Sequence, residues 1–299
     1  MSISVVIVSY QPCHLKIQKM VEILLNHESL SVILVDNGSC DIDILISALK
    51  NKKNFYSLVL SENLGIAYAQ NIGITKSIEL NSDYIIFFDQ DSSLDNNFIN
   101  NLISDYNYLR NKDYKIAAVG PRFLDENKGF YFPALKFNKN GLIDKISVEN
   151  INEPIEVSFL ISSGTLVPVD ALKKIGLMRE EFFIDFVDTE WCFRALSKGY
   201  KLYMSEKAVM KHSIGDDTLK IANFNIPVHS GFRRYYRIRN LFFMWKMPYI
   251  PKILVAKLMI SNFAIQVLLF LIKSNKMDYI KYYIKAIKDG LKQSKNYQA

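Results

Sequence analysis

The chain has 299 residues, 49% of them apolar, with few Gly and Pro; this suits one large globular domain with room for an appendage. Three scattered cysteines, Cys13, Cys40 and Cys192, form no CxxC pair, which excludes a disulfide scaffold and a zinc ribbon. The net charge of +7 is uneven: residues 1–206 hold 20 Lys/Arg against 26 Asp/Glu, residues 207–250 hold 8 against 2, and residues 251–299 hold 9 against 2.

An acidic body with a basic far end suits contact with an anionic surface or ligand. No recognised nucleic-acid motif is present, so no nucleic acid is expected as a partner. The apolar run at residues 3–8 is too short for a signal-peptide core, which makes a reducing cytoplasm the expected compartment.

Residues 3–10 read as a strand stopped by Pro12, and a helical pattern follows through Leu25. Residues 32–35 form the next strand, ending in Asp36-Asn37-Gly38-Ser39. Residues 42–50 read as a short helix and 56–60 as a third strand. Glu62-Asn63-Leu64-Gly65 then opens a helix over about 66–79. The apolar run 84–88 reads as a strand buried on both faces. This alternation predicts a mostly parallel α/β sheet with helices on both sides.

Polar residues stand at each strand's C-terminal end: Ser9 and Tyr10, Asp36 and Asn37, Glu62 and Asn63, Asp89 and Asp91. That edge of an open α/β sheet is where a nucleotide binds. Neither GxGxxG nor GxxxxGK[ST] occurs, which disfavours a dinucleotide oxidoreductase and a P-loop NTPase. Asp89-Gln90-Asp91 is the organising stretch. Carboxylates one residue apart at a strand end can converge on a hard divalent cation. Asp-x-Asp is also a common polar loop, so the tripeptide alone leaves both readings open.

A helix over about 96–109 leads to a strand near 116–121. Residues 123–153 read as a loop or hairpin excursion, 157–161 as a strand, and 169–175 as a helix ended by Gly176. The run 182–194 starts strand-like and turns helical, with Asp188 near the helix N-terminus. There a carboxylate serves either as a cap complementing the helix dipole or as a catalytic group. His212 ends a later strand.

Taken in order, several stretches resemble the inverting family 2 glycosyltransferases of GT-A fold, most closely bacterial rhamnosyltransferases. They are Val8-Ser9-Tyr10-Gln11-Pro12, Val35-Asp36-Asn37-Gly38-Ser39, Glu62-Asn63-Leu64-Gly65 with Gln70-Asn71, Asp89-Gln90-Asp91-Ser92, Ser162-Ser163-Gly164, residues 183–192 and residues 211–215. Residues 233–240, Arg-Arg-Tyr-Tyr-Arg-Ile-Arg-Asn, point the same way. Gln11 departs from the pattern, where relatives more often carry Asn.

The resemblance implies a dTDP- or UDP-sugar donor and a glycan acceptor, lipid-linked and destined for a cell-surface polysaccharide such as O-antigen or capsule. It implies Asp36 at the base, Asp89 at the ribose or in the metal's second shell, and Asp91 and His212 on Mg²⁺ or Mn²⁺. Asp188 would be the general base. Ser9, Tyr10, Asn63, Gly65, Asn71, Arg233 and Arg237 would line the nucleotide-sugar, and Arg234 and Arg239 could also neutralise phosphates. Ser163, Gly164, Glu190 and Trp191 would face the acceptor. The expected donor is dTDP-L-rhamnose. The alternatives are another UDP- or dTDP-sugar, or a catalytically silent sugar-nucleotide-binding subunit.

The expected division is a catalytic domain over 1–245 and a basic amphipathic helical extension over 246–299. Leu258–Ile272 is uncharged but shorter than the roughly 20 residues of a spanning helix. Met277, Ile280, Ile284, Ile287 and Leu291 make one helical face edged by lysines. Such a helix suits the interface of an anionic membrane, on its cytoplasmic side. The alternative is burial against the catalytic domain or a second subunit, as in a homodimer.

Overall fold

The β-branched run ISVVIVS forms β1 (Ile3–Ser9), buried along nearly its whole length. It pairs in parallel with β2 (Leu30–Asp36) on one side and β4 (Tyr84–Asp89) on the other; β3 (Phe55–Val59) extends the sheet beyond β2. A computed structural model describes residues 1–112, 115–125, 129–138, 142–211, 218–221, 224–227, 229–273 and 276–295. Helices α1 (His14–Leu25), α2 (Ile42–Leu49) and α3 (Ile66–Glu79) make the crossovers. Small residues let α3 lie close to the sheet: a methyl group on Gly73 would stand 2.3 Å from Val6 Cγ1.

The chain runs outward from β1 to β3, then returns to β4 on the other side of β1. That reversal opens a crevice at the C-terminal ends of β1 and β4. α4 (Phe98–Arg110) follows, then β5 (Ile116–Asp125), with β6 (Phe130–Tyr131) folded back on it. The polar excursion holds a hairpin, β7 (Ala134–Phe137) and β8 (Ile143–Ile146). After β9 (Ile155–Val157) come β10 (Leu166–Pro168), α5 (Val169–Ile175), α6 (Val187–Ser197) and β11 (Lys201–Lys211). The sheet order is β3-β2-β1-β4-β10-β5-β11-β9, with β10 antiparallel between β4 and β5. One buried apolar cluster fills each face of the sheet.

Two elements differ from the sequence expectation. The strand expected over 157–161 ends at Val157. Ser158 turns away to dock the hairpin, its N–H donating to Leu135 O (2.8 Å) and its Oγ accepting from Phe137 N (2.7 Å). The strand-like run before α6 is instead a 3₁₀ turn at Glu180–Phe182, followed by Phe183, Asp185 and Phe186 with φ near +62° to +63°.

β12 (Thr218–Ile221) pairs with β13 (Phe224–Pro227), and three long helices close the chain: α7 (Gly231–Lys246), α8 (Lys252–Ile272) and α9 (Lys276–Lys295). Ser230 caps α7, its Oγ accepting from Arg233 N at 3.3 Å. Arg234 is buried and donates to Gln266 Oε1 and Asn262 O of α8, both at 2.9 Å. Tyr235 Oη donates to Asp289 Oδ2 of α9 at 2.7 Å. Leu254 and Val255 of α8 join the cluster that holds Phe182, Trp191 and Phe243.

α9 packs through only part of its predicted apolar stripe, Ile287 lying against Tyr235 and Ile238 of α7. It buries Tyr279, Ala286, Gly290 and Ser294, while Met277, Ile284 and Leu291 stay exposed. α8 likewise leaves Ile253, Ile260, Phe263, Val267 and Leu271 exposed. It is a 21-residue helix, long and apolar enough to cross a membrane, yet its buried face carries Asn262 and Gln266, which hold Arg234.

Candidate active site

Register brings the predicted edge together. Ser9 stands beside Asp36, and Val8 beside Asp89. Asp36 is fully buried: Oδ1 accepts from the hydroxyls of Ser9 (2.8 Å) and Ser39 (2.7 Å), and Oδ2 from Ser39 N (2.7 Å). Oδ2 keeps a lone pair for one further donor. Tyr10 is 47% exposed on the same rim, its N–H donating to Gln90. Asn63 Oδ1 accepts from Asn37 Nδ2 (2.9 Å) and Gly65 N (3.0 Å), which shapes the loop beneath.

The electrostatic centre is a corner shared by β4, α6 and α7. Burial pushes the Asp89 carboxyl up to about 7, and the negative charges of Asp188 and Asp91 add to this; Arg233 and a hydrogen bond with Ser163 pull it back. Asp188 is raised to about 6, first by burial and then by Asp185, against hydrogen bonds from the backbone and side chain of Ser162. At neutral pH Asp188 is therefore ionised yet more basic than an ordinary carboxylate.

Asp185 collects the nearby arginines. It accepts from Arg233 Nε (3.3 Å) and Nη2 (3.4 Å) and from Arg237 Nη1 (3.2 Å), and Arg237 also lies over the Phe186 ring. The backbone that carries Asp185 is strained, with three non-glycine residues in the left-handed region. Asn240 of α7 pins it: Nδ2 donates to the carbonyls of Phe182 (2.9 Å), Ile184 (2.9 Å) and Asp185 (3.0 Å). Arg239 donates to Glu181 O and to Asn240 Oδ1, and its guanidinium lies over Tyr236 and Phe243.

Several expected contact residues serve the scaffold instead. Glu190 is fully buried and bound by Arg194 Nε (2.8 Å), Arg179 Nε (3.3 Å) and Tyr249 Oη (2.6 Å), so it cannot face an acceptor. Trp191 lies in the core with Nε1 donating to Gly176 O. Asn71 is turned inward, its amide exchanging bonds with Met178 O and N and reaching Glu180. Gly65 (φ +91°) sits where a methyl group would stand 2.7 Å from Phe183 Cα, so its role is close packing against the strained loop. Ser163 braces β4 through Asp89 N and Ser92, and Gly164 (φ +75°) lies against Met210, Pro121 and Phe98. Arg234 and Arg239 are buried structural cations rather than phosphate ligands. His212 lies outside the described residues.

The sequence does not single out Ser162, Asp185 and Asn240 as site residues. One signal stood there for Asn240. An amide inside a helix, directly before Leu241-Phe242-Phe243, is disfavoured unless its side chain has bonds to make.

A crevice at the switch point of a mostly parallel sheet, rimmed with carboxylates, is the GT-A architecture of nucleotide-sugar transferases. The chain belongs to glycosyl transferase family 2, whose family model matches residues 4–176. It is 39% identical over 291 residues to dTDP-rhamnosyl transferase RfbF of Shigella flexneri, spanning 97% of this chain and 96% of that one. Residues 1–349 of S. aureus TarS, solved with UDP-GlcNAc, share the fold at a TM-score of 0.57 and 14% identity, over 98% of this chain and 81% of that one. GalNAc-T7, solved with UDP, GalNAc and Mn²⁺, does so at 0.59 and 14%, over 88% of this chain and 54% of that one.

Proposed function

We propose that this enzyme transfers L-rhamnose from dTDP-rhamnose, with inversion, to a lipid-linked cell-surface glycan. The carrying observation is the 39% identity to RfbF across nearly the full length of both chains. In this reading Asp188 removes the acceptor hydroxyl's proton as its oxygen attacks the anomeric carbon, opposite the departing nucleoside diphosphate. A single displacement needs no protein nucleophile. Ser162 holds Asp188 ionised and oriented. Asp36 would take the base's imide N–H on its spare lone pair once the rim opens, since its carboxylate is fully buried in this conformation. Arg233 and Arg237, paired with Asp185 in this conformation, would turn to the diphosphate.

The diphosphate corner suits a hard cation. Asp89, Asp91 and Asp188 crowd it with negative charge, and Asp89 holds its proton to about 7, first through burial and then through the charges of Asp188 and Asp91. Among the described residues no three His, Cys, Asp or Glu converge as a complete ligand set. Mg²⁺ or Mn²⁺ in such sites needs only one or two protein carboxylates beside the phosphates. Asp91 and Asp89 would hold the ion, which when bound neutralises charge on the leaving diphosphate.

The extension over 246–299 supports a peripheral position on the inner face of the cell membrane. Exposed apolar side chains of α8 and α9 lie in a basic segment, the combination that suits an anionic interface. The deciding experiment is nucleotide release from dTDP-rhamnose, UDP-glucose and UDP-galactose. Release should be fastest from dTDP-rhamnose; faster release from either UDP-sugar would overturn the donor assignment.

A further inference from the structure

Beside Asp188 lies a cavity of about 310 Å³. Its walls are Leu135 of β7 and Ile143 of β8, Phe159 and Leu160 before β10, and Leu254 and Leu258 of α8. The polar side chains on its surface are Asp188 and Thr189. Asp89, Asp91 and Arg233 do not line it, which separates it from the diphosphate corner.

From this geometry we infer that the cavity is the acceptor subsite, and that it takes a 6-deoxyhexose through the ring's methyl-bearing side. The inference rests on Asp188 acting as the base. The occupant must present a hydroxyl to that carboxylate, within hydrogen-bond reach. The body of the occupant then faces apolar walls. The volume is at the lower end for ligand pockets and suits one sugar unit rather than an extended oligosaccharide. A hydroxymethyl group turned to those walls loses its water and gains no partner, whereas a methyl gains from burial. An acetamido group carries a methyl too, but its amide N–H and C=O would need partners that Thr189 alone cannot supply. The helical extension thus contributes directly to substrate choice, through Leu254 and Leu258.

The test is binding of simple glycosides to the whole enzyme without donor, followed by saturation-transfer NMR titration. Methyl α-L-rhamnoside and methyl α-L-mannoside differ only in the oxygen at C6. The rhamnoside should bind about tenfold to a hundredfold more tightly, the effect of one unpartnered buried hydroxyl. Leu258→Gln supplies an amide to the wall and should shrink that ratio to about threefold or less. A wild-type ratio near one overturns the proposal without any variant. So does a larger preference between the matching N-acetylglucosaminide and glucoside. Displacement of the rhamnoside by dTDP-rhamnose but not by dTDP would assign the cavity to the donor sugar, and also overturns it. Because binding is read without turnover, a rhamnoside preference with no transfer would count against the catalytic reading and leave the subsite standing.

Discussion

Asn240→Asp isolates the role of one amide. The side chain is fully buried, and its nitrogen faces three carbonyl oxygens at 2.9, 2.9 and 3.0 Å. Aspartate keeps the shape and replaces the donor with an acceptor. Phe182 O keeps a bond from Arg239 (3.4 Å); the carbonyls of Ile184 and Asp185 face an oxygen instead. An orphaned buried acceptor costs about 1–3 kcal/mol, and the two together roughly 2–6 kcal/mol. The strained residues Phe183, Asp185 and Phe186 each store about 1–3 kcal/mol, so the loop has reason to relax once released. Asp188 lies two residues beyond Phe186, and a displacement of about 1 Å at a catalytic group costs about 10²-fold in rate. Differential scanning fluorimetry should show the melting temperature falling by about 4–10 °C. Steady-state nucleotide release, measured well below that temperature, should show kcat down about a hundredfold with donor KM little changed. Wild-type melting would refute the clamp. A lowered melting temperature with unchanged kcat would refute its link to the base.

The Asp188 carboxyl at about 6 predicts that kcat/KM rises with pH through about 6 and levels above it, because the base must be deprotonated. Asp188→Asn should remove that step and lower turnover by about 10²–10⁴-fold while donor affinity survives; retention of both the step and the rate would exclude it as the base. Asp89 titrates near 7 when folded against 3.8 for an unperturbed carboxyl, so the folded state holds this proton more tightly. Its contribution to stability is full below pH 4 and lost as pH rises through 7. With EDTA present, thermal stability attributable to Asp89 should therefore fall between about pH 4 and 7 and level off above; Asp89→Asn should flatten that slope and Mn²⁺ should offset it. A slope unchanged by Asp89→Asn would assign it to other groups. Flotation with anionic liposomes should carry the full chain at low salt and fail for Ile260→Glu/Phe263→Glu, which alters only exposed positions; equal flotation of both would remove α8 from the membrane contact.

The first half of the fold is legible because its elements state themselves locally. β-branched runs make β1, β2 and β4, and a helix read over 66–79 coincides with α3. The antiparallel insertion of β10 was not legible. Leu166–Pro168 is too short for a pattern, and its direction depends on pairing with β4, remote in sequence. The site divides the same way. Residues at strand ends converge because register forces them to. Glu190, Trp191 and Asn71 sit inside motif-like stretches; Arg194 is legible as the i,i+4 helical partner of Glu190, but Tyr249, Gly176 and Met178, which complete their burial, are remote in sequence and no local pattern carries that information. The strained loop carries apolar and aromatic residues, a composition that reads as a strand. Its backbone is set instead by Asn240 and Arg239, more than fifty residues later.

The buried guanidinium of Arg234 has a consequence for recombination between relatives. Its partners, Gln266 and the carbonyl of Asn262, come from α8, while Arg234 comes from α7. A crossover in the short linker at 247–251 would join an arginine from one parent to a helix from another. Unless both parents carried matching groups there, a buried charge would be stranded, at a cost of about 3–5 kcal/mol. Viable chimeras are therefore expected to inherit α7, α8 and α9 as a block, with the seam before Ser230. In such exchanges the exposed apolar face of α8 and the helix that clamps the strained loop before α6 travel together.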